Sequence, residues 1–192
     1  MVSYSLKRFC WVFGFLLIAI YIPVSIIRGH WGTFDALGMW NDLSTSISIV
    51  VILAICFEKW FWKLKILQGW LVPFPCIEGD WEGTLHYRWN DNDFQKKVKF
   101  EIRQTFLCVQ VIIQTDESRS NSICASFDID KMRGQQHLVY TYLNEPDAVV
   151  RERSQIHYGT ARLLIDNSAK LMNGNYWTDR KSIGTIRLLK KT

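Results

Sequence analysis

The chain has 192 residues, a net charge of +5 and 48% apolar residues, enough for one domain and an attached segment. Residues 1–76 carry six Lys and Arg against three Asp and Glu, and residues 77–192 carry seventeen against fifteen. The second part lacks the clustered basic face of duplex-binding proteins, so we expect no DNA or RNA partner.

The first apolar segment runs from Phe9 to Ile27 and reads FCWVFGFLLIAIYIPVSII, nineteen residues without a charge. That length is sufficient for a helix that crosses the hydrocarbon core of a bilayer. The alternative is a cleaved secretory signal, whose apolar core is normally shorter and ends at small residues. Pro23 stands near the end of the run, where a membrane-spanning helix tolerates it.

A second uncharged run of fifteen residues extends from Leu43 to Phe57. We predict that this span covers about residues 40–60, with an aromatic belt at Trp60, Phe61 and Trp62. The alternative is a buried helix in a soluble domain. The preceding span and the flanking aromatic residues favour a second membrane crossing.

The basic residues predict the orientation of the two spans. Lys7 and Arg8 precede the first span, and three lysines, Lys59, Lys63 and Lys65, follow the second. Under the positive-inside rule both chain ends lie in the cytoplasm. The five cysteines form no C-x-x-C pair and are odd in number, which fits a reducing compartment rather than a disulfide framework.

The segment EKWFWKLKILQGWLVPFP follows the second span. Trp60, Leu64, Leu67 and Leu71 recur at helical spacing with lysines between them, which predicts a juxtamembrane helix along the bilayer surface. Gly69, Pro73 and Pro75 would end it. We therefore divide the chain into a two-transmembrane anchor, residues 1–75, and a cytosolic domain, residues 76–192.

The second domain shows the period-two pattern of β-strands from Glu78 onward. The predicted strands are residues 80–89, 95–104, 106–115, 122–130, 137–143, 155–165, 170–178 and 183–190. Polar turn signals separate them, among them DESRSN at 116–121 and NEPD at 144–147. Eight short strands predict an all-β domain, a lipocalin-like, antiparallel up-and-down β-barrel, because closure removes exposed edges. Such a barrel holds its own side chains or one small ligand.

Three strands have a clean apolar face. The expected inner residues are Gly79, Trp81, Gly83, Leu85, Tyr87 and Trp89 on the first strand, Val98, Phe100 and Ile102 on the second, and Ile123, Ala125, Phe127 and Ile129 on the fourth. The later strands alternate less cleanly. Tyr140 and Tyr142 share one face, Tyr158 and Arg162 share another, and Gly174, Tyr176, Thr178 and Arg180 follow one another at every second position.

If such a polar face points inward, the barrel has a pocket lined by aromatic rings and one or two guanidinium groups. Aromatic faces suit flat bases, and guanidinium groups suit phosphates. The candidate ligand-binding residues are Tyr87, Trp89, Tyr140, Tyr142, Tyr158, Arg162, Asn173, Tyr176, Thr178 and Arg180. The alternative is that these tyrosines and arginines cap the rim of a filled barrel.

The sequence contains none of the common nucleotide-binding or hydrolase motifs, and its four histidines are scattered. Asp128 and Asp130, or Glu78, Asp80 and Glu82, alternate as acidic residues on a solvated strand face do. No nucleophile or metal constellation accompanies them. We therefore expect neither an enzyme nor a cofactor or metal.

Two apolar spans followed by a strand-rich domain that opens with GDWEGTL and closes with NGNYWTDRKSIGTIRL form an unusual order. This chain resembles the SMODS-associated two-transmembrane β-strand-rich effectors of CBASS, the bacterial cyclic-oligonucleotide-based antiphage signalling system. The resemblance covers the whole chain. On the closing strand Gly174, Tyr176, Thr178 and Arg180 match the family pattern.

The resemblance implies a function. A partner nucleotidyltransferase, the cyclase, makes a cyclic dinucleotide that binds in the barrel. The effectors then self-associate in the bacterial inner membrane, disrupt the lipid bilayer and cause abortive infection. Arg180 or Arg162 would pair with a phosphate, and Tyr176, Tyr87 or Trp89 would stack on a base. Thr178, with Asn173 or Asn175, would contact a base edge. The alternative function is a membrane-tethered lipocalin-like barrel that binds a lipid or another apolar small molecule.

Overall fold

The computed structural model describes residues 3–89, 92–130, 132–152 and 154–191. The chain divides into two compact units, Met1–Pro73 and Phe74–Thr192. The first unit is helical and the second is built of strands. This order agrees with the fold class that the sequence predicts.

The first unit contains two helices, α1 (Ser3–Ile27) and α2 (Ala36–Lys59). Both are long and apolar enough to cross a membrane, over Cys10–Ile27 and Ala36–Lys59, and only 6% and 17% of those stretches are buried. A core helix of a soluble domain would be mostly buried. Asp35 caps α2, because its side chain accepts a hydrogen bond from the backbone N–H of Leu37.

A buried carboxylate connects α2 to the end of α1. The side chain of Asp42 is fully buried and lies 3.4 Å from Arg28 Nη1 and 3.1 Å from His30 Nδ1. Asp42 also accepts a hydrogen bond through its carbonyl oxygen from Ser46 Oγ at 2.7 Å. A buried charge is costly without partners, so this cluster fixes the pairing of the two helices at this end.

The prediction of a juxtamembrane helix is wrong. The segment after α2 forms two single turns of 3-10 helix, Phe61–Lys63 and Lys65–Leu67, separated by extended backbone at Leu64. Gln68 explains part of the interruption, because its Nε2 donates to the carbonyl oxygen of Trp62 at 3.1 Å. A side chain thereby satisfies an acceptor that a continuous helix would satisfy with its backbone.

The second unit is a closed eight-stranded barrel in which every strand pairs antiparallel with its neighbours in sequence and β1 pairs with β8. The strands are β1 (Gly79–Trp89), β2 (Asn92–Gln104), β3 (Val109–Gln114), β4 (Ser118–Asp130), β5 (Gln135–Pro146), β6 (His157–Ile165), β7 (Leu171–Thr178) and β8 (Ile183–Lys190). The predicted all-β, up-and-down barrel is confirmed.

The barrel has two different ends. We call the end with the β1–β2, β3–β4, β5–β6 and β7–β8 connections the mouth, and the opposite end the floor. The floor is filled by fully or almost fully buried apolar side chains, namely Ile77, Trp81, Ile102, Leu138, Leu163, Met172 and Leu188. Trp81 Nε1 is satisfied there, since it donates to the carbonyl oxygen of Ile77 at 2.9 Å.

For the residues of β1 and β2 whose side chains the structure describes, the alternating pattern correctly predicts which face points into the barrel. On β4 it fails at Ile123, whose side chain is 63% exposed. The β4–β5 register shifts between Ser122 and Cys124, as at a β-bulge. A bulge inserts one unpaired residue, so the pattern before it no longer predicts the pattern after it. Ala125 and Phe127, beyond the bulge, pack on the core as expected.

The β6–β7 turn at the floor depends on one carboxylate. Asp166 accepts hydrogen bonds from the backbone N–H groups of Ser168, Lys170 and Leu171 and from the Ser168 hydroxyl. The Ser168 bond first, and then the backbone bonds, lower the pKa of Asp166 from 3.8 to about 2. The folded protein therefore favours the ionised carboxylate.

We predict that Asp166→Asn destabilises the barrel at neutral pH and that this difference disappears in acid. Because the pKa of Asp166 is depressed on folding, its contribution is fully present above pH 3.8 and is lost as the pH falls towards 2. Melting temperatures of the full-length proteins in detergent, measured from pH 7 to 2, check this. Glu145→Gln, at an exposed carboxylate, is the control; a gap between Asp166→Asn and wild type that stays constant over this range would contradict the prediction.

Candidate ligand-binding site

The inner wall of the mouth is aromatic. Tyr87 on β1 and Phe94 on β2 lie opposite each other, with ring centroids 5.4 Å apart and planes inclined by 21°. A cavity of about 850 Å³ is lined by these two rings, by Tyr176 and Gly184, and by six exposed residues that alternate with them on the same strands, namely His86, Gln95, Asn175, Trp177, Ile183 and Thr185. Its volume is in the range of small-molecule sites. The cavity therefore adjoins the mouth and is shared by inward-facing and outward-facing residues of β1, β2, β7 and β8.

Tyr140 and Tyr142 on β5 and Tyr176 on β7 turn their phenol groups into the same interior. The rings of Tyr140 and Tyr142 are 5.8 Å apart. Burial raises the pKa of Tyr142 to about 12 and the pKa values of Tyr140 and Tyr176 well above their usual range. Each phenol thus remains protonated at physiological pH and can donate a hydrogen bond.

A glycine makes room for the ring of Tyr142. A Cβ atom on Gly159 of β6 would collide with this ring. The ring thus occupies the volume that a side chain on β6 would otherwise fill. Gly184 on β8 has the same relation to Tyr176, with Cε1 of the ring 2.6 Å from the position of a Cβ. Both rings therefore pack against the inner wall and belong to the core cluster.

Two neutral polar pairs stand on the inner face near the mouth. Thr178 Oγ1 and Ser182 Oγ are 2.6 Å apart at the β7–β8 turn. Ser120 Oγ donates to Asn144 Oδ1 at 2.8 Å between β4 and β5. Thr178, Ser120 and Asn144 are all buried. Hydroxyl and amide groups at this depth can contact the polar edge of a ligand.

Positive charge lies at the rim rather than in the centre of the lumen. Arg180, in the β7–β8 turn, donates from Nη1 to Ser154 Oγ and to the Gln155 carbonyl oxygen, both at 3.3 Å. The same nitrogen is 3.4 Å from His157 Nδ1. Lys96 of β2 pairs with Glu117 at 2.9 Å. An anionic group would meet Arg180 where the β5–β6 and β7–β8 connections approach each other.

The structure brings six of the ten predicted ligand-binding residues to this site. Tyr87, Tyr140, Tyr142, Tyr176 and Thr178 face the interior, and Arg180 lies at the rim. Tyr158, Arg162 and Asn173 instead have exposed side chains on the outer face. The side chain of Trp89 lies outside the described residues.

The outward position of Arg162 has a clear cause. Glycine, alanine and leucine at Gly159, Ala161 and Leu163 form the buried face of β6, so the alternate residues point outward. Arg162 Nη2 donates to Asp128 Oδ2 at 2.8 Å and lowers the pKa of Asp128. Burial, followed by the charge of Arg162, lowers the pKa of the neighbouring His137. Arg162 thus belongs to a surface ion pair rather than to the mouth.

Ser120, Asn144 and Phe94 were missed by the sequence analysis. Ser120 and Asn144 fall in segments predicted as turns, 116–121 and 144–147, yet β4 begins at Ser118 and β5 continues to Pro146. Ser and Asn are frequent in turns, which misled the assignment. Alternation could have identified Asn144 as an inward residue, because it continues the every-second-residue spacing of Tyr140 and Tyr142. Phe94 lay just outside the predicted second strand.

Together these features define a closed β-barrel that carries aromatic rings and buried hydroxyl groups at its mouth and has a cavity beside it, in a chain that also has two helices long enough to span a membrane. The family model described as "Cap15, cyclic dinucleotide receptor domain" matches residues 72–190. The chain belongs to this family. The predicted resemblance to CBASS effectors is confirmed.

Two curated relatives support the same family assignment. The chain is 36% identical over 152 residues to CD-NTase-associated protein 15 of Staphylococcus schleiferi, covering 79% of this chain and 80% of the relative. It is 31% identical over 137 residues to CD-NTase-associated protein 15 of Yersinia aleksiciae, covering 70% of this chain and 64% of the relative. The alignments thus extend well beyond a short motif.

The hydroxyl of Tyr140 yields a prediction about stability. Within the described residues, Tyr140 Oη is buried and has no hydrogen-bond partner. An unmade bond of this kind costs about 1–3 kcal/mol. Tyr140→Phe should therefore raise the free energy of unfolding by about 1 kcal/mol, or Tm by roughly 3–6 °C.

Thermal unfolding of the full-length protein in detergent, followed by intrinsic fluorescence, measures this effect. Tyr158→Phe is the matched control because Tyr158 is 54% exposed, and its Tm should equal that of wild type. A lower Tm for Tyr140→Phe would show that the hydroxyl stabilises the ligand-free barrel.

Proposed function

We propose that this chain is a CBASS effector whose barrel mouth binds a cyclic dinucleotide, and that binding leads to self-association and disruption of the bacterial inner membrane. The observation that carries the proposal is the chemistry of the mouth. Aromatic rings, neutral hydroxyl and amide groups on the inner face and Arg180 at the rim match bases and phosphates. The matched family, described as a cyclic dinucleotide receptor domain, supports the same ligand class.

The ligand is expected to enter with its bases towards the lumen and its phosphates towards the rim. Tyr87, Phe94 and Tyr176 offer flat surfaces for stacking, which contributes about 1–3 kcal/mol per base. Thr178, whose side chain is buried near the mouth, would contact a base edge. Arg180 would form charge-assisted hydrogen bonds with a phosphate at the rim. An apolar lipid offers no anionic group for Arg180 at the rim, which disfavours the alternative function.

Arg180→Ala tests the placement of the phosphates. We expect it to weaken the binding of the cognate cyclic dinucleotide about tenfold to a hundredfold, because a hydrogen bond to a charged group is lost. Calorimetry on the full-length protein in lipid nanodiscs, with a panel of cyclic dinucleotides, measures the dissociation constants. Arg187→Ala, at an exposed arginine of β8, is the matched control.

Equal affinity of Arg180→Ala and wild type would remove Arg180 from the site. The absence of binding to every cyclic dinucleotide by folded wild-type protein would contradict the proposed ligand. A fatty-acid probe added to the same protein would then decide whether the apolar-ligand alternative applies.

The membrane step is a second part of the proposal. A ligand shifts an equilibrium only by its differential affinity for two states, so binding must favour an associated form. Molecules confined to a membrane meet at a high effective concentration, which assists association. The hydroxyls of Thr45, Ser46 and Ser48 donate to carbonyl oxygens one turn earlier in α2, so they are already satisfied within the helix.

Leakage of a trapped dye from vesicles reports membrane disruption. The ligand should release dye from vesicles that contain wild-type protein, whereas vesicles with Arg180→Ala should need a higher ligand concentration in proportion to its weaker binding. Tight binding without leakage would contradict the membrane step and leave ligand recognition intact.

The proposed orientation places the barrel and both termini in the cytoplasm, and the proposed partner is a nucleotidyltransferase that makes the ligand. Reporter fusions test the topology. A fluorescent protein that folds only in the cytoplasm should be active at either terminus, and an alkaline phosphatase at either terminus should be inactive. The opposite result would overturn the orientation.

A further inference from the structure

The chain that leaves α2 exposes a dense group of apolar side chains. We call residues 59–70 the collar. Its large apolar residues that are between 47% and 84% exposed are Trp60, Phe61, Leu64, Ile66 and Trp70. Soluble proteins rarely leave so many large apolar side chains uncovered, and such surfaces mark contacts with a membrane or a protein. The collar is therefore an interaction surface.

Buried groups and backbone hydrogen bonds hold the collar in a defined shape. Trp62 is fully buried, and its carbonyl oxygen accepts a hydrogen bond from Gln68 Nε2 at 3.1 Å. The backbone N–H groups of Leu71 and Val72 both donate to the carbonyl oxygen of Leu67, at 3.0 and 2.9 Å. The exposed residues thus belong to folded turns and are presented together on a fixed backbone.

The collar lies where α1 begins and α2 ends. Trp60 is the C-cap residue of α2. Arg8 Nη1, near the start of α1, donates to the carbonyl oxygen of Trp70 at 2.9 Å. Both helices are long and apolar enough to cross a membrane. Because spanning helices end at the bilayer surface, the collar is expected at the level of the lipid headgroups, where tryptophan is favoured.

The charge of the collar is entirely positive. It contains three lysines, no Asp and no Glu. Lys59, Lys63 and Lys65 are all exposed. Lys7 and Arg8 add two further cations at the start of α1. A cluster of basic residues directly beside a membrane span attracts anionic lipid headgroups.

We propose that the collar binds the bilayer surface and selects anionic phospholipids. Lys63 and Lys65 stand on either side of the exposed Leu64, so cationic and apolar groups alternate along the chain. The apolar groups enter the boundary of the acyl chains, while the ammonium groups stay at the level of the phosphates. This inference goes beyond the proposed function, because it names the lipid class that the protein contacts and involves no nucleotide.

Spin-labelled lipids measure the selection. Full-length protein is placed in phosphatidylcholine vesicles, and the fraction of trace phosphatidylglycerol or phosphatidylcholine held against it is compared. Wild type should hold phosphatidylglycerol at least about threefold more tightly, because each lysine attracts the anionic headgroup. Lys63→Gln/Lys65→Gln should bring the two lipids towards equality, and Lys63→Arg/Lys65→Arg should retain the selection.

The matched control is Lys97→Gln/Lys99→Gln. It removes the same charge at the same spacing from exposed positions on β2, and it should retain the wild-type ratio. An equal loss of selection in this control would show a general effect of net charge and would overturn the proposal.

Photo-cross-linking tests the insertion of the apolar side chains. With p-benzoylphenylalanine in place of Ile66, illumination of the protein in nanodiscs should attach phospholipid, detected by mass. The control has the same group in place of Val149, which is 94% exposed between β5 and β6. This control should gain no lipid.

Equal retention of the two lipids by wild type would overturn the proposal, as would an unchanged ratio in Lys63→Gln/Lys65→Gln. A cross-link from residue 66 to a second protein chain, without attached lipid, would assign the collar to a protein interface instead. All these measurements are made without a nucleotide, so their failure leaves the proposed receptor function standing.

Discussion

Pairing of the first and last strands is the constraint on which the rest of the second unit depends. The β1–β8 ladder runs from Trp81 opposite Lys190 to Arg88 opposite Ile183 and leaves no free edge. Closure obliges every strand to direct one face into the same narrow lumen. Whether the protein binds a ligand then depends on how completely the inward residues fill that lumen. At the floor large apolar side chains fill it, whereas towards the mouth the rings of Tyr142 and Tyr176 take the volume that Gly159 and Gly184 leave free.

The composition of the lumen changes along its axis, and this gradient separates stability from recognition. Dense packing of apolar groups at the floor supplies the hydrophobic stabilisation of the barrel. Towards the mouth the inward groups become phenols, hydroxyls and an amide, which would be costly if they remained dry and unpaired. Tyr140 lies at the transition and has an unpartnered buried hydroxyl. Natural proteins violate local packing rules of this kind mainly at functional sites.

Much of this arrangement could be predicted from the sequence, because alternation on β1 and β2 leaves one choice of inner face. The row Gly174, Tyr176, Thr178 and Arg180 was also informative. At Gly174 a Cβ would collide with the Arg162 carbonyl oxygen, Tyr176 and Thr178 face the lumen, and Arg180 stands beyond the strand end. On β6 the sequence allowed either face to point into the barrel. The face with the small residues Gly159 and Ala161 is the inner one, so Arg162 points outward.

Two further errors had physical causes that a single sequence does not reveal. The bulge after Ser122 shifts the face of β4, and the Ser120–Asn144 pair resembles turn sequence because strands that line a polar lumen need the same residues as turns. Strand propensity reflects the environment of a face more than the backbone itself. A polar interior is therefore the part of a barrel that sequence patterns identify least well.

The direction of the chain through the barrel bears on how binding could act on the membrane. Residues 74–78 enter β1 at the floor, so the mouth is the end remote from the chain connection to the helical unit. Close-packed interiors have low compressibility and transmit strain, so the floor does not isolate the mouth from the chain connection. Contacts between barrels near their mouths would act without passing through the floor. The exposed Trp177 and Ile183 pair on the outer face of β7 and β8 and line the cavity, at a position where such contacts would form. Under the proposed function, association between barrels is thus a route to the membrane that is separate from a relay through the floor.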